Sequence, residues 1–412
     1  MQQFLRFILL LLSLISYTTF ALTISTTKFL KRGSLPSSSS FDPHDAFEAA
    51  INSTWSIFWN DTNQGFSQSD PSCPNSQTST PFQYSVVWSV AVAGMAIVQS
   101  GDISKTNQII TSLYKYQNSQ GWFSATPGGG ESFVDDNCQV LWVFLQAYEL
   151  TNNTKYLTTA NKLMELIQGQ WSDKVGGVKW QVDGDYIASI STVEAALCAV
   201  RLYEQNKDDS LLSFAKKCLS WLDDNLLDKL DGFYYDGLNI NNKNEIDKGK
   251  LTYTVGVAIS TYSYIYKYTN DEQYVLIATA KANETIKSTT FMRSNGYWNN
   301  DLKYLHLLFV GIVDLIIIMG DEKLDFSNDI MKQGEFIYKY DQLSEIGNYL
   351  DFTGVKQLYD QYVKQSGDNS SINYQFNGDD YCDGSNDSGQ IKRSLMENAS
   401  AAQIFYQLNR LE

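Results

Sequence analysis

Apolar residues recur along most of the chain at the three- and four-residue spacing of helices, and strand-like alternation is scarce. Residues 138–150 read CQVLWVFLQAYEL, a nearly continuous apolar run that predicts a helix buried on all sides. Residues 309–320 read FVGIVDLIIIMG, about a dozen residues that are too few for a membrane span and predict a second buried helix. The pattern predicts an all-α protein.

One helix–turn–helix pattern recurs along the chain. Its copies read AYELTNNTKYLTTANK from Ala147, LYEQNKDDSLLSFAKK from Leu202 and IYKYTNDEQYVLIATAK from Ile265, and a weaker copy lies near 96–110. The tyrosines of the three copies, Tyr148, Tyr203 and Tyr266, are 55 and 63 residues apart. A unit of that length is one helical hairpin with a long connection.

The length of the chain sets the number of such hairpins. About 365 residues follow the N-terminal region, which is enough for roughly six units. Six hairpins can close into an (α/α)6 barrel, with long loops between inner and outer helices forming a cleft at one rim. An open helical solenoid is the alternative. The loops GGVKWQVDGDY and DGFYYDGLN, rich in glycine and aromatic residues, favour the barrel.

Charge and histidine content narrow the possible partners. The chain has 46 acidic and 31 basic residues, a net charge of −15, which argues against nucleic acid or an anionic membrane as a partner. It has two histidines and no C-x-x-C motif, so we expect no zinc site, no other metal and no cofactor. We expect a monomer.

The five cysteines divide into two groups. Cys73 and Cys382 lie in loop-like sequence and could form a disulfide. Cys198 and Cys218 lie in helical patterns and are expected to be buried thiols. Cys138 is the fifth cysteine. Because five is an odd number, at least one of the five is unpaired or pairs outside the chain.

The N-terminus has the features of an export signal. Arg6 precedes an apolar run over residues 7–15, and a small-x-small site predicts cleavage after about Ala21. We therefore expect a signal peptide at 1–21, a flexible Ser-rich leader at 22–44 and one domain at 45–412. The C-terminus has no hydrophobic tail for a lipid anchor. Seven N-x-S/T sequons fit a secreted, extracellular glycoprotein without a membrane anchor: Asn52, Asn60, Asn152, Asn283, Asn369, Asn386 and Asn398.

Residues 128–142, GGGESFVDDNCQVLW, place two adjacent aspartates at the start of the apolar helix. Asp135 and Asp136 could simply favour a helix N-terminus. They would also lie at the mouth of the ring. Glycoside hydrolysis usually needs two carboxyl groups, about 5–5.5 Å apart for retention and about 6.5–9.5 Å for inversion. The pair is therefore the candidate catalytic centre.

Five sequence blocks resemble, in order, those of glycoside hydrolase family 76, which contains endo-α-1,6-mannanases. They read FVDDNCQVLWVFLQAYELTNNTKYLTTANKLMELI, GGVKWQ, YIASISTVEAALCAVRLYE, DGFYYDGL and KGKLTYTVGVAISTYSYIY. The resemblance implies an (α/α)6 fold and retaining hydrolysis of α-1,6-linked mannan. It also implies Asp135 as the nucleophile and Asp136 as the general acid/base.

The chain departs from the family pattern in two places. Ala-Trp-Trp commonly follows Asp-Asp-Asn, and here Cys138-Gln139-Val140 stands instead. The common block Trp-Thr-Tyr-Asn-Gln-Gly appears as residues 251–256, LTYTVG. An aromatic and an amide expected near the sugar are thus missing, which bears on the substrate more than on the chemistry.

Other residues are candidates for binding a polysaccharide. Aromatic side chains in loop-like segments could stack on sugar faces or pack in the core, and polar ones could bind hydroxyls. These substrate-binding candidates are Trp122, Asn137, Trp180, Tyr234, Tyr235, Asp236 and Tyr253. His306 is expected to be a core histidine.

Two other functions remain open at this point. One is a carbohydrate-binding or cell-wall transglycosylating protein on the same fold. The other is a different (α/α)6 enzyme, such as an uronyl hydrolase or a sugar epimerase, which the scarcity of histidine disfavours. A pure binding protein has no need of both carboxylates, so the intact Asp135–Asp136 pair favours an enzyme.

Overall fold

The computed structural model describes residues 41–74, 82–299, 301–320, 326–368 and 372–412. The predicted signal peptide lies outside these ranges, as does most of the leader. The helices of the described residues are α1 (Pro43–Phe58), α2 (Val87–Gln99), α3 (Ile103–Leu113), α4 (Val134–Thr151), α5 (Thr154–Gln168), α6 (Ser189–Asn206), α7 (Asp209–Asn225), α8 (Thr252–Thr269), α9 (Glu272–Lys287), α10 (Leu302–Met319), α11 (Ser327–Tyr340), α12 (Lys356–Ser366) and α13 (Leu395–Asn409).

Six of these helices form a closed inner ring. Helices α2, α4, α6, α8, α10 and α13 each contact the next, and α13 packs against α2 to complete the circle. Helices α1, α3, α5, α7, α9 and α11 pack outside them. The predicted (α/α)6 barrel is confirmed, and the open-solenoid alternative is wrong.

The sixth helix pair joins the two ends of the described chain. The outer helix α1 packs on the inner helix α13, so the first and last helices complete the barrel together. A disulfide between Cys73 and Cys382 links segments 309 residues apart, as the sequence suggested. Cys138, Cys198 and Cys218 are buried free thiols.

The recurring tyrosine marks the tight turn from an inner to an outer helix. In each copy the first helix ends on a residue in the left-handed region, whose N–H donates to the tyrosine carbonyl four residues earlier; these residues are Asn152, Lys207 and Asn270. The next residue then caps the following helix through its side chain; these caps are Asn153, Asp208 and Asp271. Local capping chemistry therefore explains the repeat.

The long connections run from each outer helix to the next inner helix and hold the strands. Two of them contribute an antiparallel three-stranded sheet, β3 (Tyr186–Ala188), β4 (Gly237–Asn239) and β5 (Asn242–Asp247). A short pair, β1 (Trp59–Asn60) and β2 (Gly65–Phe66), follows α1. These strands are small additions to a helical protein.

Helix α10 contains the apolar segment 309–320 of the sequence. It is long and apolar enough to cross a membrane by those criteria alone, but 67% of it is buried inside the barrel. The prediction of a buried helix is confirmed.

Candidate active site

The two aspartates lie in the first turn of α4, at the rim where the inner helices begin. Phe133 is the N-cap residue and makes no side-chain capping bond, and Asp135 and Asp136 follow Val134 inside the helix. Both aspartates are half-buried as whole residues, and the Oδ1 atom of Asp135 is fully buried. Neither aspartate is at the N-cap position, so the pair is not explained by ordinary side-chain capping.

A tryptophan holds one of the two carboxylates. Trp180 Nε1 donates to Asp135 Oδ2 at 3.0 Å. The loop that carries Trp180 is fixed to the start of α4, because the Val134 N–H donates to the Trp180 carbonyl at 2.7 Å. The indole ring packs on Phe133 at 4.8 Å and is still 41% exposed. One side of the indole is therefore available to a ligand in the cleft.

The two carboxyl groups have different electrostatic environments. Burial raises the pKa of Asp135 to about 6, although the Trp180 N–H and the backbone amides at the helix start favour its charged form. Burial and the neighbouring Asp135 raise the pKa of Asp136 well above its usual range. Among the described residues, no side-chain hydrogen bond offsets that rise. Asp136 is thus the group that keeps its proton at the higher pH.

The opposite wall of the cleft is built by the sheet and the start of α8. The Tyr186 hydroxyl donates to Asp236 Oδ2 at 2.6 Å, and the Asp236 N–H donates to the Asp247 carbonyl at 3.0 Å. These three residues line a cavity of about 350 Å³ together with Trp180 and Tyr253. Burial, followed by the nearby Asp135 and Asp236, raises the pKa of Tyr253, so its hydroxyl stays protonated.

A third carboxyl group lies beneath the aspartate pair. Gln139 is one helical turn below Asp135, and its Nε2 donates to Glu194 Oε1 at 3.0 Å. Glu194 is fully buried, and that burial, together with Cys138 and Asp135, raises its pKa well above the usual range. A neutral Glu194 therefore supports the floor of the cleft, and it gives Gln139 a partner in the core.

The cleft continues past Tyr253 toward a second groove. The Tyr253 ring packs on Tyr304 at 5.1 Å, and Tyr304 packs near Trp88 at 6.2 Å. Trp88 lines the second groove together with several acidic residues, among them Glu397, whose pKa burial raises to about 8. A row of aromatic rings thus joins two grooves along the same rim.

The structure brings only some of the predicted binding residues to the cleft. Trp180, Asp236 and Tyr253 line the cavity of about 350 Å³, and Trp180 connects that cavity to the aspartate pair through its bond to Asp135. Tyr235 does not line this cavity; its ring lies beneath the ammonium of Lys250 at 5.3 Å.

Three predicted binding residues are structural instead. Tyr234 is 2% exposed, and its hydroxyl donates to Asp223 at 2.6 Å, so no ring face is free for a sugar. Trp122 is 3% exposed, so its ring is also closed to a sugar. Asn137 is fully buried and binds the backbone of Phe123 through both its amide oxygen and its amide nitrogen. For Trp122 and Tyr234 the packing alternative is the correct one, and for Asn137 the prediction of a sugar contact is wrong because its amide is used by the backbone.

Sequence reasoning missed Tyr186, Asp247 and Glu194. Tyr186 reaches the cleft because β3 pairs with β4, about fifty residues further along the chain, which no local pattern shows. Asp247 reaches it through the hairpin of β4 and β5. Glu194 gave a weak signal, because it is a carboxyl group inside the otherwise uncharged stretch ISTVEAALCAV of an inner helix. Among the described residues, no group of three or more His, Cys, Asp or Glu could hold a metal ion.

We predict that Trp180→Phe moves the acidic limb of the kcat/KM pH profile to higher pH. The substitution keeps an aromatic ring and removes the N–H that favours ionised Asp135, so the pKa of Asp135 should rise above about 6. If ionised Asp135 is the active form, activity is lost as pH falls through that pKa, and the limb should shift upward by roughly one unit.

The matched control for this prediction is Trp171→Phe. Trp171 also precedes α6, in the same connection as Trp180, but it is half-buried against Phe214 and does not contact Asp135. Its profile should keep the wild-type limb. An unchanged limb in Trp180→Phe would show that the Trp180–Asp135 bond does not set the protonation of the site.

A closed (α/α)6 barrel with two electrostatically distinct carboxyl groups in an aromatic-lined rim cleft has the architecture of a polysaccharide-cleaving enzyme. The sequence model of glycosyl hydrolase family 76 matches residues 44–313, and the chain belongs to this family. It is a glycoside hydrolase.

Two individual proteins are similar to this chain. The chain is 25% identical to the Meiotically up-regulated gene 191 protein of Schizosaccharomyces pombe over 71% of its own length and 75% of that protein. It is 30% identical to Mannan endo-1,6-alpha-mannosidase DCW1 of Candida albicans over 29% of its own length and 28% of that protein.

A solved structure shares the fold. It is an inactive variant of the alpha-1,6-mannanase GH76A of Salegentibacter sp. HEL1_6 in complex with alpha-1,6-mannotriose. The TM-score is 0.68 at 20% identity, covering 90% of this chain and all of that one. At this level of identity the similarity establishes the barrel alone.

Proposed function

We propose that this protein is a retaining glycoside hydrolase that cleaves α-1,6-mannosidic linkages in mannan or a related cell-wall polysaccharide. Asp135 is the nucleophile and Asp136 the general acid/base. The observation that carries the proposal is the difference in pKa environment between Asp135 and Asp136. Trp180 and the helix N-terminus favour the charged form of Asp135, whereas burial favours the protonated form of Asp136.

The reaction follows from these two protonation states. Protonated Asp136 donates its proton to the glycosidic oxygen while an oxygen of ionised Asp135 attacks the anomeric carbon, so the glycosidic bond breaks as a glycosyl–aspartate bond forms. Asp136, now ionised, takes a proton from water. That water attacks the anomeric carbon and releases Asp135, which gives net retention of configuration.

The shape of the cleft supports a polymeric substrate. The aromatic row from Tyr253 through Tyr304 to Trp88 offers stacking faces beyond a single sugar. The second groove, which Trp88 lines, extends the binding surface beyond the first cavity and fits internal cleavage of a chain. The α-1,6-mannan named for two of its relatives supports this choice of linkage. Transfer to a second sugar in place of water is the alternative outcome of the same covalent intermediate.

We also propose that the mature protein is a secreted, extracellular glycoprotein that lacks residues 1–21. The Cys73–Cys382 disulfide is typical of an oxidising compartment. Of the sequons, Asn52, Asn152 and Asn386 are exposed. Asn398 is fully buried and its side-chain oxygen accepts from the Tyr349 N–H at 2.8 Å, so the folded protein cannot carry a glycan there.

The test is incubation of the purified protein with linear α-1,6-mannan and a panel of other polysaccharides, followed by product sizing. We expect internal cleavage of α-1,6-mannan, with the anomeric configuration of the first-formed product retained by NMR. Products longer than the starting oligosaccharide would indicate transglycosylation. Cleavage of another linkage in preference to α-1,6-mannan would refute the substrate assignment, and inverted products would refute the role of Asp135.

A further inference from the structure

A cavity along the barrel axis opens at the end opposite the aspartate pair. All six helices of the inner ring line it. Many of the lining residues lie near the C-terminal ends of their helices, such as Gln99, Arg201 and Asp314, and α8 contributes Tyr264. Deeper residues include His306 and Trp142. The cavity has a volume of about 150 Å³, equal to roughly five water molecules or one small organic molecule.

The guanidinium of Arg201 lacks an acceptor at this cavity. It makes no hydrogen bond to any described residue; the nearest carboxylate oxygen, Glu149 Oε2, is 4.0 Å away, and the Tyr264 ring lies beneath it at 5.3 Å. Arg410, by contrast, is bonded to Asp314 at 3.0 Å. Glu149 lies outside the lining and is the ion-pair partner of Arg201, so the guanidinium has a charged neighbour but no hydrogen-bond acceptor.

Three more buried polar atoms of the lining are also unpartnered among the described residues. Trp142 Nε1 is a donor, and Gln99 Oε1 is an acceptor. His306 is 1% exposed, its Nδ1 lies 3.4 Å from the Leu302 carbonyl, and its Nε2 has no partner. With Nδ1–H donating to that carbonyl, Nε2 is a second acceptor. Burial lowers the pKa of His306 to about 4, so the ring is neutral.

We propose that the axial cavity is a binding site for a small hydroxycarboxylate. The carboxylate of such a ligand accepts hydrogen bonds from the Arg201 guanidinium and from Trp142 Nε1, and its hydroxyl groups donate to Gln99 Oε1 and His306 Nε2. The aliphatic side chains of Met95 and Leu197 border the same space and fit a short carbon chain. Two buried donors, one of them a guanidinium, favour a carboxylate over a neutral polyol, and two buried acceptors favour a ligand with hydroxyl groups over an inorganic anion.

The test uses the full chain and three probes of similar size: sodium glycerate, sodium acetate and glycerol, each at constant ionic strength. We expect 10 mM glycerate to raise the unfolding midpoint by about 2 °C or more, acetate to raise it less and glycerol to leave it unchanged. Calorimetric titration should give one glycerate per chain. Equal effects of glycerol and glycerate, or no binding of glycerate, would overturn the proposal.

Variants locate the binding. Arg201→Gln should abolish the glycerate effect, and Trp142→Phe, which keeps the ring and removes the N–H, should weaken glycerate binding about tenfold. Arg293→Gln is the matched control, because that guanidinium pairs with Asp351 at 2.9 Å and does not line the cavity. If Arg201→Gln does not fold, Trp142→Phe and a glycerate-soaked crystal of the wild type show whether glycerate binds in this cavity. Density for water alone in that crystal would contradict the site.

Discussion

Asp136→Ala should lose activity on α-1,6-mannan by about 10²–10⁴-fold and yet still release an activated aryl group from an aryl α-mannoside. A good aryl leaving group departs without protonation, so the loss of the acid matters little for the first step. The second step lacks its base, and azide, which needs no deprotonation, should accelerate turnover. Asp135→Ala should fail on both substrates by about 10³-fold or more, because no covalent intermediate can form.

Both variants are measured on both substrates after circular dichroism and a thermal melt show that each is folded. Asp209→Ala is the matched control, since Asp209 belongs to another Asp-Asp pair and also lies in the first turn of a helix, outside the cleft. It should keep wild-type activity. The reverse pattern would exchange the roles of Asp135 and Asp136, and near wild-type hydrolysis by both variants would reduce the pair to a structural feature of the helix start.

The groups around Asp135 and Asp136 explain why two carboxyl groups at one helix start differ in protonation. Both lose hydration in the cleft, but Asp135 receives the Trp180 N–H and the backbone amides, while the negative charge of Asp135 acts on Asp136. Below them Glu194 stays neutral, which avoids a third negative charge. One ionised and one protonated carboxyl group is the state that double displacement needs before substrate arrives.

The sequence predicted those parts of the fold that local chemistry determines. The tyrosine repeat could be recognised in the sequence because each copy contains the residue of the left-handed turn and the cap of the next helix, as at Asn152 and Asn153. Closure into six hairpins followed from the count of units. No repeat in the sequence predicts the pairing of α1 with α13, which joins the two ends of the described chain, because that pairing depends on closure of the whole ring.

The candidate site was predictable only in part, for a similar reason. The aspartate pair could be recognised because two adjacent carboxyl groups lie at the start of an otherwise apolar helix. Which tyrosine faces the cleft depends on long-range pairing: Tyr186 pairs with Asn239 in the sheet and reaches Asp236, while Tyr234 turns inward to Asp223. Both lie in loops rich in glycine and aromatic residues, so composition alone could not separate them.

The close contact between α8 and α10 gives the largest predicted effect on stability. Gly256 and Gly311 lie where the two inner helices touch backbone to backbone. A Cβ on Gly256 would overlap the carbonyl group of Leu307, and one on Gly311 would overlap the carbonyl group of Gly256. Because backbone atoms cannot rotate away as a side chain does, the helices would have to move apart.

Gly256→Ala should therefore lower the free energy of unfolding by roughly 4 kcal/mol or more, despite the better helix propensity of alanine. Gly94→Ala in α2 is the matched control: its Cβ meets side-chain atoms alone, the nearest being a methyl carbon of Ile109 at 2.8 Å, so no two backbones have to separate. Urea unfolding of both variants measures the difference. A loss in Gly256→Ala no larger than in Gly94→Ala would mean that the ring tolerates separation of α8 from α10. The barrel would then not depend on this contact to hold the cleft residue Tyr253, three positions before Gly256, against Tyr304.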